Sequence, residues 1–119
     1  MILSNYSIGR NYEYRAKRIL ESYHFIVIRS AGSHSFVDLI ALREDYCLAI
    51  QVKSTNDEKR IPAILKEIDM SLKEIVLPTY IQFETWVFIK NESKPRVYSR
   101  NEVCLKNAYI KQENRPEIG

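Results

Sequence analysis

The sequence predicts an α/β fold in which a mixed five-stranded sheet is flanked by helices, in the order α-βββ-α-ββ-α. Two segments repeat apolar residues at the three- and four-residue spacing of a helix with one buried face. Five shorter segments are apolar or β-branched and are bounded by polar residues, as strands are. The chain has 119 residues, which is enough for one hydrophobic core and too few for two. We therefore expect one domain over residues 1–119.

The first predicted elements are a helix over residues 9–23 and a strand over residues 25–28. The apolar side chains of the helix lie at the spacing of one buried stripe, which consists of Ala16, Ile19, Leu20 and Tyr23. The strand reads Phe-Ile-Val-Ile, and its continuous apolar character favours burial on both faces. Small polar residues over 30–35 then predict a loop.

Two more strands are predicted over residues 37–42 and 47–54. The charged residues 43–45 between them are few enough to form the turn of a hairpin. A hairpin centred there brings position 38 opposite position 51.

The second half of the chain predicts a helix, two strands and a last short helix. Pro62 lies near the start of the long helix and Pro78 marks its end. Residues 85–89 form a buried strand, residues 96–99 a short strand and residues 101–110 the final helix. The apolar face of the long helix consists of Ile64, Leu65, Ile68, Leu72, Ile75 and Val76.

The composition excludes several classes of protein. With 45% hydrophobic and 28% charged residues the chain is neither disordered nor fibrous, and no apolar run reaches the roughly 18 residues of a membrane span. Its start lacks the basic-then-apolar layout of a secretory signal. Cys47 and Cys104 have no Cys or His partner at zinc-finger spacing, so we expect buried, reduced thiols in a cytoplasmic protein. The net charge of +3 permits an anionic partner without requiring one.

Asp38 is the residue whose type fits its surroundings least. It lies in an apolar run over 37–42, where an unpaired carboxylate is costly to desolvate, so it needs a cation, a metal or several hydrogen-bond donors. Strand alternation places Gln51 and Lys53 on one face, and the predicted hairpin brings Asp38 beside them. Two oxygen donors beside an ammonium group suit a divalent ion and a phosphodiester. The alternative for Gln51 and Lys53 is the solvated face of an edge strand.

Glu13 is a second carboxylate in an apolar pattern. It lies three residues before Ala16 and seven before Leu20, so it shares the inward stripe of the first helix. Two interpretations are open: Glu13 faces the site of Asp38, or it forms a surface salt bridge with Lys17, four residues further on.

At these positions the chain resembles the archaeal Hjc-type Holliday junction resolvases, which belong to the PD-(D/E)xK, restriction-endonuclease-like nucleases. The resemblance is dense over residues 9–54 and rests on the order of elements beyond them. It implies a restriction-endonuclease-like core. The matching segments are Gly-x-x-x-Glu over 9–13, Arg-Ser-Ala-Gly-Ser over 29–33, Val-Asp-Leu-Ile-Ala over 37–41 and Ile-Gln-Val-Lys over 50–53.

The resemblance implies a catalytic site that uses Mg²⁺, for which Mn²⁺ can substitute. Asp38 would bind the ion together with the side chain of Gln51 and the backbone carbonyl of Val52. Glu13 would act on the ion directly or through water. Lys53 would orient or activate the attacking water and neutralise the charge that develops on the phosphate.

The resemblance also implies contacts with DNA. Arg29, Ser30 and Ser33 would touch the DNA backbone from the loop after the first strand. Basic residues of the first helix, among them Arg10 and Arg15, either add phosphate contacts and salt-dependent affinity or form a solvated helix face. Because junction resolution needs two symmetric nicks and one domain has one site, a homodimer is implied.

Two positions depart from the family pattern. Gln51 stands where the family usually has a carboxylate, and its uncharged oxygen should lower the affinity for metal. Tyr14 stands where the family tends to have Arg. Our leading hypothesis is a metal-dependent endonuclease that nicks four-way DNA junctions symmetrically. The others are a nuclease of the same superfamily with another DNA target, of restriction or transposition type, and a catalytically silent module that binds branched DNA.

Overall fold

The structure is a computed structural model that describes residues 5–30, 36–44, 46–78 and 80–99. It contains two α-helices, a short 3₁₀ turn and five strands within those residues. The elements are α1 (Asn5–Ser22), β1 (Ile26–Arg29), β2 (Leu39–Arg43), β3 (Tyr46–Thr55), the 3₁₀ turn (Glu58–Arg60), α2 (Ile61–Leu72), β4 (Gln82–Ile89) and β5 (Arg96–Ser99).

The five strands form one mixed sheet in the order β1-β2-β3-β4-β5. Three of the four strand pairs are antiparallel, and β3 and β4 are parallel because helix α2 forms the crossover between them. This arrangement confirms the predicted α/β fold with a mixed five-stranded sheet and flanking helices. It also makes β3 the central strand, with a neighbour on each side.

The hairpin of β2 and β3 has the predicted register. Leu39 pairs with Ile50 and Arg43 pairs with Tyr46, so the turn contains only two residues. A turn of this length fixes the pairing along both strands, because a slip by one residue would exchange their two faces.

Apolar side chains pack on both faces of the sheet. On one face, Ala16 and Leu20 of α1 pack in a buried cluster with Ile50 of β3 and Trp86 of β4. On the other face, Ala49 of β3 packs with residues of α2 and with Phe83 of β4. Alternation along β3 therefore directs even-numbered side chains towards α1 and odd-numbered ones towards α2.

Helix α1 ends in a hydrogen-bonded reversal. The N–H of Phe25 donates to the carbonyl of Leu20 at 3.1 Å, and the N–H of His24 donates to the carbonyl of Glu21 at 2.9 Å. His24 has a φ of 66°, in the left-handed region usual for this helix-terminating motif. The reversal returns Phe25 to the same cluster as Leu20 and starts β1 beside the helix.

The prediction that the first strand is buried on both faces is wrong. Ile26 and Ile28 are 69% and 56% exposed, while Val27 is half-buried against the core. The reason is the place of β1 at the edge of the sheet, where helix α1 covers one face only. A continuous apolar sequence therefore does not by itself show that a strand is buried on both faces.

The second helix is shorter than predicted. It begins with Pro62 in its first turn, as expected, but it ends at Leu72, before Ile75 and Val76. After Leu72 the hydrogen bonds change from the four-residue to the three-residue pattern, with the N–H of Ile75 donating to the Leu72 carbonyl at 3.1 Å. Val76 is consequently 97% exposed.

Other predictions have mixed outcomes. The strands predicted at 85–89 and 96–99 are present as parts of β4 and β5. The helix predicted at 101–110 and the second cysteine, Cys104, lie outside the described residues. Cys47 is a free thiol but is half-buried, not fully buried, because it lies next to the exposed end of the hairpin. None of the helices described is long and apolar enough to cross a membrane.

Candidate active site

Asp38 is held at the end of the hairpin by hydrogen bonds to β3. Its N–H donates to the carbonyl of Ile50 at 2.9 Å, and its Oδ2 accepts the N–H of Val52 at 2.7 Å. Its own carbonyl accepts the N–H of Ser30 at 2.9 Å. The bonds to Ile50 and Val52 lie on either side of Gln51, so Asp38 lies opposite Gln51 in the register of the hairpin.

Gln51 carries an unsatisfied oxygen. Its Oε1 is fully buried and accepts no hydrogen bond from any part of the chain that the structure describes. A buried acceptor without a partner costs about 1–3 kcal/mol, so such groups are rare in native proteins. The alternative interpretation of Gln51 and Lys53 is the half-solvated face of an edge strand. This interpretation is wrong about the strand, since β3 has a neighbour on each side, and about Gln51, since its amide oxygen is buried.

The pKa of the Asp38 carboxyl is raised from 3.8 to about 6. Burial is the main cause, because it disfavours the charged form, and the negative charge of Glu13 acts in the same direction. The N–H of Val52 and the charges of Lys53 and Arg29 act in the opposite direction and lower the pKa. Three charged groups that are distant from Asp38 in the sequence, Glu13, Arg29 and Lys53, thus act on its carboxyl group.

Glu13 lies on the inner side of α1 and forms an ion pair with Arg29, the last residue of β1. The Nε of Arg29 is 2.9 Å from Oε1 of Glu13, and the two side chains are 16% and 19% exposed. The guanidinium of Arg29 also lies 4.7 Å from the ring centre of Tyr14. The alternative salt bridge from Glu13 to Lys17 does not form, since Lys17 pairs with Glu21 at 3.1 Å.

The donor set beside Asp38 fits a hard divalent cation. Among the described residues there is no group of three or more His, Cys, Asp or Glu side chains that could hold a metal. The side-chain oxygens at this position are the carboxylate of Asp38 and the buried amide oxygen of Gln51, and oxygen ligands are those that Mg²⁺ prefers. The unsatisfied Oε1 of Gln51 is the observation that favours a cation here, because a cation would give it the partner that it lacks among the described residues.

The residues predicted to contact DNA lie in different surroundings. Arg10 is exposed on α1, and Ser30 follows β1 directly. Arg15 has its guanidinium 4.9 Å from the ring centre of Phe88 and donates to the carbonyl of Ser93 at 3.2 Å, so it attaches α1 to the segment that follows β4. Ser33 lies outside the described residues.

An open cleft of about 370 Å³ lies beside Lys53 and was not foreseen from the sequence. Residues 53–56 at the end of β3 form one wall, and Arg60, Ile64 and Glu67 line it from the 3₁₀ turn and α2. Ile8 of α1 contributes a further apolar side chain. The basic residues of the 3₁₀ turn indicate such a cleft only weakly in the sequence, because their position next to β3 depends on how α2 crosses the sheet.

A sequence profile of the Hjc family, described as archaeal Holliday junction resolvase, matches residues 4–73, more than half of the chain. Among solved structures, the chain is similar to Archaeoglobus fulgidus Hjc, a Holliday junction resolvase from an archaeal hyperthermophile. The sequences are 16% identical, the TM-score is 0.53, and the match covers 86% of this chain and 93% of the other. At this identity the structural likeness establishes the fold alone. No match is found among curated protein sequences.

Proposed function

The chain belongs to the archaeal Holliday junction resolvase (Hjc) family, and on this premise we propose that it is a Mg²⁺-dependent endonuclease that resolves four-way DNA junctions by paired, symmetric nicks. The observation that carries the proposal is the buried, unsatisfied Oε1 of Gln51, the residue opposite the Asp38 carboxylate. Lys53 follows Gln51 on the same face of β3, and its charge lowers the pKa of Asp38.

In this proposal Asp38, Gln51 and the carbonyl of Val52 hold the Mg²⁺ ion, and Mn²⁺ can replace it. Glu13 acts on the ion directly or through water. Bound there, a divalent ion would polarise the scissile phosphate and supply positive charge. Lys53 orients the attacking water and stabilises the negative charge that develops on the phosphate oxygens. Asp38 binds a cation only as the carboxylate, so the proposal requires it to be deprotonated.

The ion pair of Glu13 with Arg29 suggests how Arg29 can serve the site. The guanidinium is held by a carboxylate and an aromatic ring, which fixes its position before any ligand binds. Together with Ser30 and Ser33, it would contact DNA phosphates next to the site, and Arg10 and Arg15 of α1 would add to the electrostatic attraction. Recognition would depend on the positions of phosphates, since a four-way junction has no fixed sequence.

Two symmetric nicks require two sites, and we propose that residues 1–119 form one nuclease domain that acts as a homodimer with two-fold symmetry. The site would then occur once in each subunit, so that two strands of one junction could be nicked at symmetric positions. We place this activity in the cytoplasm, with the DNA.

The test is cleavage of a labelled, immobile four-way junction in Mg²⁺ and in Mn²⁺, next to linear duplex and flap DNA. Paired nicks at symmetric positions, confined to the junction, are the expected result. Cleavage of duplex or flap DNA at a similar rate would indicate a nuclease with another target. Binding of the junction without cleavage in either metal would indicate the catalytically silent module, and the uncharged side chain of Gln51 would be the first cause to examine.

A further inference from the structure

The cleft beside Lys53 continues the candidate active site along β3. Lys53 belongs to both, because it follows Gln51 on the same face of the strand and also lines the cleft. A DNA strand that places its reacting phosphate at Asp38 and Lys53 and continues along β3 would have its next unit at this cleft.

Basic and polar groups gather at one end of the cleft. Arg60 ends the 3₁₀ turn, its side chain is exposed, and it forms no ion pair with the residues described. Its acidic neighbour Glu58 is bound to Arg96 at 2.8 Å and does not neutralise it. Asn56, which is also exposed, adds an amide that can donate hydrogen bonds.

The rest of the cleft differs in character. Ile8 and Ile64 give it apolar walls, and Glu67 lies at the end opposite Arg60, about 10 Å further along α2. Helix α2 runs antiparallel to β3, since Ile61 packs with Val87, the partner of Lys53, and Ile68 packs with Ala49. The acidic end of the cleft therefore lies towards Gln51, and the basic end lies beyond Lys53, where β3 ends. This order favours an anionic group at the end formed by Arg60 and Asn56.

We infer that this cleft binds the sugar-phosphate unit next to the scissile phosphate, with Arg60 and Asn56 on its phosphate and with Ile8 and Ile64 against its deoxyribose. The inference rests on the proposed function, since it takes the nicked strand to pass Asp38 and Lys53. Arg60 is a positioning residue in this scheme: it fixes the strand while Lys53 contacts the reacting phosphate. An arginine suits this task because its planar fork can form two hydrogen bonds to one phosphate.

The test compares the wild-type protein with the Arg60→Ala, Arg60→Lys and Lys59→Ala variants. Lys59 is the matched control, because it is exposed, carries the same charge, precedes Arg60 directly and does not line the cleft. Each protein is titrated, in EDTA, with immobile four-way junctions that are unmodified or carry one neutral methylphosphonate near the crossover. Fluorescence anisotropy gives the Kd without cleavage, and thermal unfolding confirms that each variant is folded.

We expect Arg60→Ala to weaken binding of the unmodified junction roughly tenfold, as for the loss of a charge-assisted contact. Lys59→Ala should stay within about twofold of the wild type, because an exposed charge outside the cleft contributes little. One methylphosphonate next to the nicked bond should weaken wild-type binding by a similar factor but cause no further loss in Arg60→Ala, since the contact is already absent. Arg60→Lys should show an intermediate loss.

Three outcomes would overturn the inference. In the first, each methylphosphonate weakens junction binding by Arg60→Ala as much as it weakens binding by the wild type. In the second, Lys59→Ala loses as much affinity as Arg60→Ala. In the third, the wild type does not bind the junction. Failure of the proposed function is distinguishable, because it would show as wild-type binding without cleavage after Mg²⁺ is added. The binding comparison needs no cleavage and so tests the cleft separately.

Discussion

Two carboxyl groups, one buried and one half-buried, flank the same part of the central strand, and their surroundings differ. Glu84 of β4 lies opposite Ile50, is 2% exposed and accepts the indole N–H of Trp86 at 3.0 Å. Asp38 lies on the other side of β3, next to Gln51, whose amide oxygen has no partner within the described structure. The first location is a completed polar contact within the core, and the second is left incomplete.

The two locations differ in whether the polar atoms around the carboxyl group are matched within the described structure. At Glu84 the polar atoms are matched within the protein, so the group contributes to the packing of the core around Trp86. At Asp38 burial raises the pKa of the carboxyl to about 6, and the neighbouring oxygen stays unsatisfied. An arrangement of this kind destabilises the fold, and it becomes favourable when a cation binds to both oxygens.

The largest expected effect distinguishes the two locations by activity. Replacing Asp38 by Ala should reduce junction cleavage at least about 100-fold while leaving junction binding within a few-fold, because it removes the carboxylate from the proposed metal site. Gel assays of cleavage and anisotropy measurements of binding would check this. Glu84→Gln is the control and should cleave at close to the wild-type rate. Retained cleavage by Asp38→Ala would show that the site lies elsewhere.

The second prediction distinguishes them by stability. Glu84→Ala should lower the free energy of unfolding by about 3 kcal/mol, because it leaves the Trp86 indole N–H without its acceptor and opens a cavity in the core. Glu84→Gln keeps an acceptor for the indole N–H and should lower the free energy of unfolding by less. Urea denaturation followed by Trp fluorescence measures both. Equal losses for the two variants would mean that the hydrogen bond to Trp86 contributes little.

The third prediction concerns the unsatisfied oxygen. Gln51→Glu should lower the Mg²⁺ concentration needed for half-maximal cleavage about tenfold, because it adds a negative charge where the amide now offers only a dipole. The measurement is a Mg²⁺ titration of the cleavage rate above pH 7, where Asp38 is deprotonated. Gln51→Leu removes the oxygen and serves as the control; it should raise the Mg²⁺ concentration needed for half-maximal cleavage. An unchanged Mg²⁺ dependence in both variants would argue that position 51 does not bind the ion.

The smallest effect concerns the cost of the Asp38 charge. A pKa raised in the folded state means that folding favours the protonated form, so stability from this group is present below pH 4 and is lost as the pH rises through about 6. Asp38→Asn removes that loss and can still accept the Val52 N–H. It should be more stable than the wild type by about 1 kcal/mol at pH 7.5 in EDTA, after solvent screening is considered. The difference in stability between Asp38→Asn and the wild type should vanish near pH 4. A difference independent of pH would show that the charge of Asp38 is not its cause.

Much of the fold could be predicted because its signals are local. The stripe of α1 follows from residues three and four apart, and the register of β2 with β3 follows from a two-residue turn between two strands. The same register brings position 38 to Gln51. These features depend on near neighbours along the chain, and the amino-acid sequence by itself determines them.

Other features depend on contacts between distant segments, and only the tertiary structure decided them. Whether an apolar strand is buried depends on its place in the sheet, which left Ile26 and Ile28 of β1 exposed at the edge. The partner of Glu13 is Arg29, sixteen residues away, and not the nearby Lys17. The buried oxygen of Gln51 and the position of Arg60 beside Lys53 likewise follow from how α2 crosses from β3 to β4. Local periodicity specifies which face of an element is apolar, but burial and charge pairing depend on what packs against that face.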